Sequence, residues 1–93
     1  MIKLAVSGCL GRMGQSITRL ALADSDFTLT ALLEHKDHPR AHETIHGLKI
    51  QTDNIIIKES DVLIEFTTPE ATLDNLHVCM ALDIKMVIGT TGF

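Results

Sequence analysis

"AVSGCLGRMGQS" occupies residues 5 to 16 and joins a strand-like run to a helix-like one through three glycines. The apolar run "IKLAVS", Ile2 to Ser7, reads as a buried strand that stops at a glycine. Gly8, Gly11 and Gly14 then stand at three-residue intervals, while Met13, Ile17, Leu20 and Ala21 recur at helical spacing. A strand that passes through glycines straight into a helix has a use for each of them. The first permits the sharp turn, the second lets backbone approach a pyrophosphate, and the third lets the helix pack closely on the strand. The N–H groups and positive end of such a helix favour a bound anion without any basic side chain. The spacing is G-x-x-G-x-x-G rather than the commoner G-x-G-x-x-G, and a turn that merely joins two elements is the plain alternative.

Working outward, "FTLTALL" (Phe27 to Leu33) alternates and is β-branched, so it reads as a second strand ending near Glu34. "EHKDHPRAHETIHG" is polar and carries Pro39 and Gly47, which makes it a loop. "LKIQ" offers a short strand, and "DVLIEF" (Asp61 to Phe66) a better one. "TTPEATLDNLHVCMALD" opens with helix-start signals, Thr67 or Thr68 as cap and Pro69 in the first turn, and continues with Leu73, Leu76, Cys79 and Met80 at helical spacing. "KMVIG" is a last strand. Strands alternating with helices imply parallel pairing through right-handed crossovers, an α/β doubly wound, Rossmann-like parallel sheet. The dinucleotide-binding version has about six strands; four or five are legible here, so the sheet is expected to be incomplete.

Composition narrows the function classes. Ninety-three residues make one small domain with a single core. Hydrophobic residues at 45% and charged ones at 22% suit a globular chain rather than a disordered one. A net charge of -4 argues against a nucleic-acid surface, because phosphate binding depends on clustered Lys and Arg. No run of about 18 apolar residues is present to span a membrane. Cys9 and Cys79 are too few for a disulfide framework, so a reduced, cytoplasmic chain without a signal peptide is expected.

Glu34 strengthens the reading of the turn. It stands at the end of the second strand, about twenty residues past the last glycine, where a carboxylate hydrogen-bonds the adenosine ribose hydroxyls. The same charge would repel a ribose 2'-phosphate and favour NADH, although His35, Lys36 and Arg40 nearby offset it. In "VIGTTGF" (Val87 to Phe93), Gly89, Thr90 and Thr91 would lie beyond the carboxyl end of the last strand, where open parallel sheets bind ligands. Glycine there lets the chain pass a flat ring closely, and the threonines supply hydroxyl and backbone donors.

"VSGCLGRMG", "DVLIEFTTPEAT" and "VIGTTGF", in that order and spacing, resemble the 4-hydroxy-tetrahydrodipicolinate reductase (dihydrodipicolinate reductase) family of bacterial lysine and diaminopimelate biosynthesis. The resemblance implies reduction of a dehydrated cyclic dicarboxylate by NADH or NADPH in a cytoplasmic homotetramer. Carried over to these positions, it has Gly8, Cys9, Leu10, Gly11, Arg12 and Met13 wrapping the pyrophosphate. Glu34 and His35 would lie at the adenosine ribose, and Gly89, Thr90 and Thr91 at the nicotinamide, with Thr91 also near the substrate carboxylate. Residues 1–93 would form an N-terminal dinucleotide-binding domain spanning about the first third of the family's length. The substrate domain with its proton donor would follow Phe93, so no catalytic acid is assigned here and the isolated fragment is expected to be inactive. Two departures stand out. His35 occupies a position that is Arg in many members that accept NADPH well, and Glu65 replaces the Asp usual in "DFT".

Other patterns compete. "HETIH" (His42 to His46) matches the H-E-x-x-H of zinc proteases, but Pro39 and Gly47 leave no room for a long helix, so a solvated loop without metal is expected. Cys9 beside a helix N-terminus is either a reactive thiol or a small filler. Cys79 is read as core and His77 as a partly buried structural histidine. The alternative function from another class is a non-catalytic NAD(H)-binding sensor that signals to a partner.

Overall fold

The computed structural model describes residues 1–90 of the chain. The elements run β1 (Ile2–Ser7), α1 (Arg12–Ala23), β2 (Phe27–Leu33), β3 (Thr44–Ile45), β4 (Leu48–Gln51), a 3-10 helix (Asn54–Glu59), β5 (Val62–Glu65), α2 (Pro69–Leu82) and β6 (Lys85–Ile88). They form one sheet in the order β3-β4-β2-β1-β5-β6. All neighbours pair in parallel except the edge strand β3, which is antiparallel to β4. The doubly wound reading therefore holds, with the strand order reversing on either side of β1, but the sheet has six strands rather than the four or five expected, because the two-residue β3 carries no pattern of its own.

The sheet buries two layers because β1 alternates within a strand covered on both faces. Leu4 and Val6 join Cys9, Leu10, Ala21, Leu32 and Ile50 on the α1 side. Ala5 joins Ala31, Leu33, Ile57, Leu63 and Cys79 on the side of α2 and the 3-10 helix.

Three expectations are corrected. Residues 44–45 of the polar loop form β3, because the αL conformation of His46 and Gly47 closes a tight turn back into β4. His42 also has positive φ, so "HETIH" is a turn and a strand, and its two histidines are not one helical turn apart. The buried stripe of α1 is Gly14, Thr18 and Ala21, whereas Met13 and Leu20 face outward; close approach of the helix to the turn selects small residues over large ones. On α2 the buried residues are Thr72, Asn75 and Cys79, while Leu73, His77 and Met80 are exposed. Cys79 is core as read. No described helix is long and apolar enough to cross a membrane.

Candidate cofactor site

The carboxyl ends of the central strands are knitted into one rim by backbone hydrogen bonds. The N–H groups of Gly8 and Cys9 both donate to the Leu33 carbonyl, at 3.0 and 3.2 Å. Phe66 N–H donates to Ser7 O at 3.0 Å, Glu34 N–H to Gln51 O at 3.0 Å, and Gly89 N–H to Glu65 O at 2.9 Å. The segments after β1, β2, β5 and β6 are thus held in fixed relation where the strand order reverses.

The glycines of the first turn divide the work much as their spacing implies. Gly8 has φ +78°, and a Cβ there would lie 2.1 Å from the Phe66 carbonyl oxygen. At Gly14 a Cβ would meet the Gly8 carbonyl oxygen at 2.1 Å, which fixes how closely α1 sits on the turn. Gly11 is different: a Cβ would touch only Gly8 O, at 3.4 Å, so the space above its backbone is free of protein. Gly11 also caps α1 without a side-chain acceptor, and the first turn of the helix carries no acid. Its N–H groups are therefore open to an anion. Arg12 and Met13 are exposed on that first turn.

Glu34 is half-buried at the end of β2 and is tied to the glycine turn. Its Oε2 accepts from Leu10 N–H at 3.0 Å and its Oε1 from His35 N–H at 2.9 Å. The carboxylate so positioned keeps further acceptor capacity toward the open side. Beside it lies a cavity of about 550 Å³, formed by Ser7, Leu33–Lys36, Thr52–Asn54, Phe66–Thr68 and the first turns of α2. Its floor is polar and ordered: Asn75 donates to Ser7 Oγ at 3.3 Å, and Asn54 donates to Asn75 Oδ1 at 3.4 Å. This volume falls in the range of small-molecule sites.

The sequence-derived residues are brought together in part. Glu34 and His35 line the cavity, and Gly8 backs directly onto its Phe66 wall. Gly89 stands against the other side of Phe66, since a Cβ there would overlap the ring. Cys9 and Leu10 are buried beneath the turn, facing a smaller recess near Arg19 and Arg40, and their N–H groups are already taken by Leu33 O and Glu34 Oε2. Burial pushes the Cys9 thiol from 9.0 up to about 12, with the Glu34 charge adding to the rise, and the filler reading replaces the reactive one. Arg40 is engaged by Glu43 at 3.1 Å. Thr90 turns its hydroxyl inward to Glu65. Thr91 lies outside the described residues. The sequence reading missed Thr52, Asn54 and Asn75; "TDN" directly after a strand was a helix-start signal, and Asp53 indeed caps the 3-10 helix through Ile55 N–H at 3.1 Å. Among the described residues no cluster of three or more His, Cys, Asp or Glu could hold a metal.

The glycine turn, the open helix end, the anchored carboxylate and a mostly apolar cavity with a few ordered polar groups lie along one rim, an arrangement suited to a nucleotide. Residues 2–93 match the family model described as "Dihydrodipicolinate reductase, N-terminus". A 4-hydroxy-tetrahydrodipicolinate reductase of Pelagibacter ubique is 44% identical over 93 residues, covering 99% of this chain and 35% of the relative. The solved structure of a dihydrodipicolinate reductase from Paenisporosarcina sp. TG-14, bound to dipicolinate, superposes with a TM-score of 0.84 at 26% identity, over 100% of this chain and 38% of that one. RSP, a Rex-family repressor in complex with beta-NADH, gives a TM-score of 0.77 at 16% identity, over 100% of this chain and 47% of that one, which is a likeness of fold alone. The chain spans about a third of the length of the reductases it matches.

Proposed function

The chain belongs to the dihydrodipicolinate reductase family, to whose N-terminal part it corresponds. On that premise we propose that it supplies the NADH- or NADPH-binding part of a cytoplasmic 4-hydroxy-tetrahydrodipicolinate reductase of lysine and diaminopimelate biosynthesis. The observation that carries the proposal is the open Gly11 cap of α1 lying beside a carboxylate that is hydrogen-bonded to the same turn.

In this reading the turn from Gly8 to Met13 wraps the pyrophosphate, the N–H groups of Arg12 and Met13 at the start of α1 donate to it, and Glu34 accepts from the adenosine ribose hydroxyls. The cavity between His35, Thr52–Asn54 and Asn75 takes the rest of the adenosine. Gly89 and Thr90 form the wall beside the nicotinamide, and Thr91 reaches toward a substrate carboxylate. When bound, the cofactor supplies a hydride to an unsaturated cyclic dicarboxylate, and the protein supplies orientation and charge placement. The proton donor lies outside residues 1–93, and so does most of the dicarboxylate site. The Glu34 charge disfavours a 2'-phosphate, with Lys36 as the remaining counterweight because Arg40 is paired, so NADH is the preferred partner.

Titration of the chain with NADH and NADPH, followed by nicotinamide fluorescence beside a Glu34→Gln variant, tests this. Saturable binding, tighter for NADH and weakened in the variant, is expected. A folded chain that binds neither nucleotide contradicts the proposal.

A further inference from the structure

Glu65 ends β5 with its carboxylate fully buried and no cationic side chain against it among the described residues. Three threonine hydroxyls solvate it. Oε1 accepts from Thr72 Oγ1 of α2 at 2.7 Å and from Thr90 Oγ1, beyond β6, at 2.6 Å. Oε2 accepts from Thr67 Oγ1, beyond β5. Thr90 Oγ1 in turn accepts from Thr67 N–H at 2.8 Å. Burying a carboxylate is costly unless its lone pairs are filled, so this arrangement has one low-energy geometry. It joins the segment that carries Phe66 to the segment after β6, whose Gly89 packs against the Phe66 ring.

We infer that Glu65 is a positioning residue: through Thr90 it latches the segment after β6 to the segment after β5 and so sets the wall against which a nicotinamide ring lies. The inference rests on the proposed dinucleotide site and adds to it a residue that never touches the cofactor. A latch acting on one end of the site separates the two halves of the ligand, whereas a residue that only stabilises the fold does not.

The test measures NADH and ADP-ribose affinities in the unaltered chain, in Thr90→Val, in Thr90→Ser and in Glu65→Gln. Thr90→Val keeps the shape of the side chain and removes the hydroxyl; Thr90→Ser restores it. With its hydrogen bond to Glu65 lost, Thr90→Val is expected to weaken NADH about tenfold while ADP-ribose stays within about twofold. Thr90→Ser is expected to recover NADH binding, and Glu65→Gln to show the same selective loss. ADP-ribose binding doubles as the check that each variant is folded. Equal losses for both ligands, or unchanged NADH affinity in Thr90→Val, would overturn the latch. If the unaltered chain fails to bind ADP-ribose, the dinucleotide site itself falls and takes the latch with it, a result distinct from either of those.

Discussion

At Gly8 and Gly11 two residues of one type, three positions apart, do opposite work. Gly8 combines φ +78° with a Cβ clash against the Phe66 carbonyl, so Gly8→Ala must strain or displace the rim. A loss on the order of 3 kcal/mol in urea unfolding is expected. Gly11→Ala meets nothing closer than 3.4 Å and should cost under about 1 kcal/mol. It nevertheless places a methyl where the proposed site has the pyrophosphate approach, and should weaken NADH on the order of tenfold. Equal stability losses in the two variants would refute this division. The spacing of the glycines announced the turn and a separate job for each, but not what makes Gly8 irreplaceable. That depends on the Phe66 carbonyl, a contact between segments 58 residues apart in number.

Cys9 carries the second residue-scale prediction. Its thiol ionises only near 12 when folded against 9.0 as a free group, and burial raises Cys79 as well. Well below pH 9 both thiols are protonated in either state and folding is unaffected by them. Between pH 9 and 12 the unfolded chain loses protons that the folded chain keeps, so stability falls as pH rises through that window. At pH 8 an aromatic disulfide reagent should leave both thiols intact until urea is added; rapid modification of the folded chain at that pH would show the burial to be wrong.

At the scale of elements, α2 was the most legible and α1 the least. Thr68, Pro69 and the αL cap Asp83 bound α2 as local chemistry dictates, and the cap bond from Ala71 N–H to Thr68 Oγ1 is 3.3 Å. Thr68→Ala should cost about 1 kcal/mol in thermal or urea unfolding; no change would mean that Pro69 and packing alone define the start. In both helices the apolar residues at helical spacing point outward in part, while Gly14, Thr18, Thr72 and Asn75 are buried. Periodicity counts apolarity, and it fails where a helix must lie close to a turn or carry polar groups into a site. β3 escaped notice because two residues leave no periodic signal and its cause is the turn at His46 and Gly47.

The whole molecule is a sheet whose ligand-facing rim is well tied and whose outer surface is more apolar than its charge suggests. Leu20 is 68%, Met80 71% and Val87 53% exposed, and β6 pairs with β5 alone among the described strands. Such an edge and such patches favour association between copies. Sedimentation of the chain should show self-association that diminishes in Val87→Lys; a monomer at all concentrations would count against it. The doubly wound order could be read from alternating elements, since parallel strands need crossovers. The polar floor of the cavity could not, because Ser7, Asn54 and Asn75 meet only once the sheet has formed.

The central claim is that a dinucleotide lies across the glycine turn, Glu34 and the Phe66 wall. The most direct measurement is to follow backbone amide resonances of the chain while NADH is added. The account predicts that the largest shifts fall on Gly8 to Met13, Glu34, His35, Thr52 to Asn54 and Gly89. Shifts confined to other surfaces, or a folded chain whose amides at the turn do not respond to saturating NADH, would contradict it.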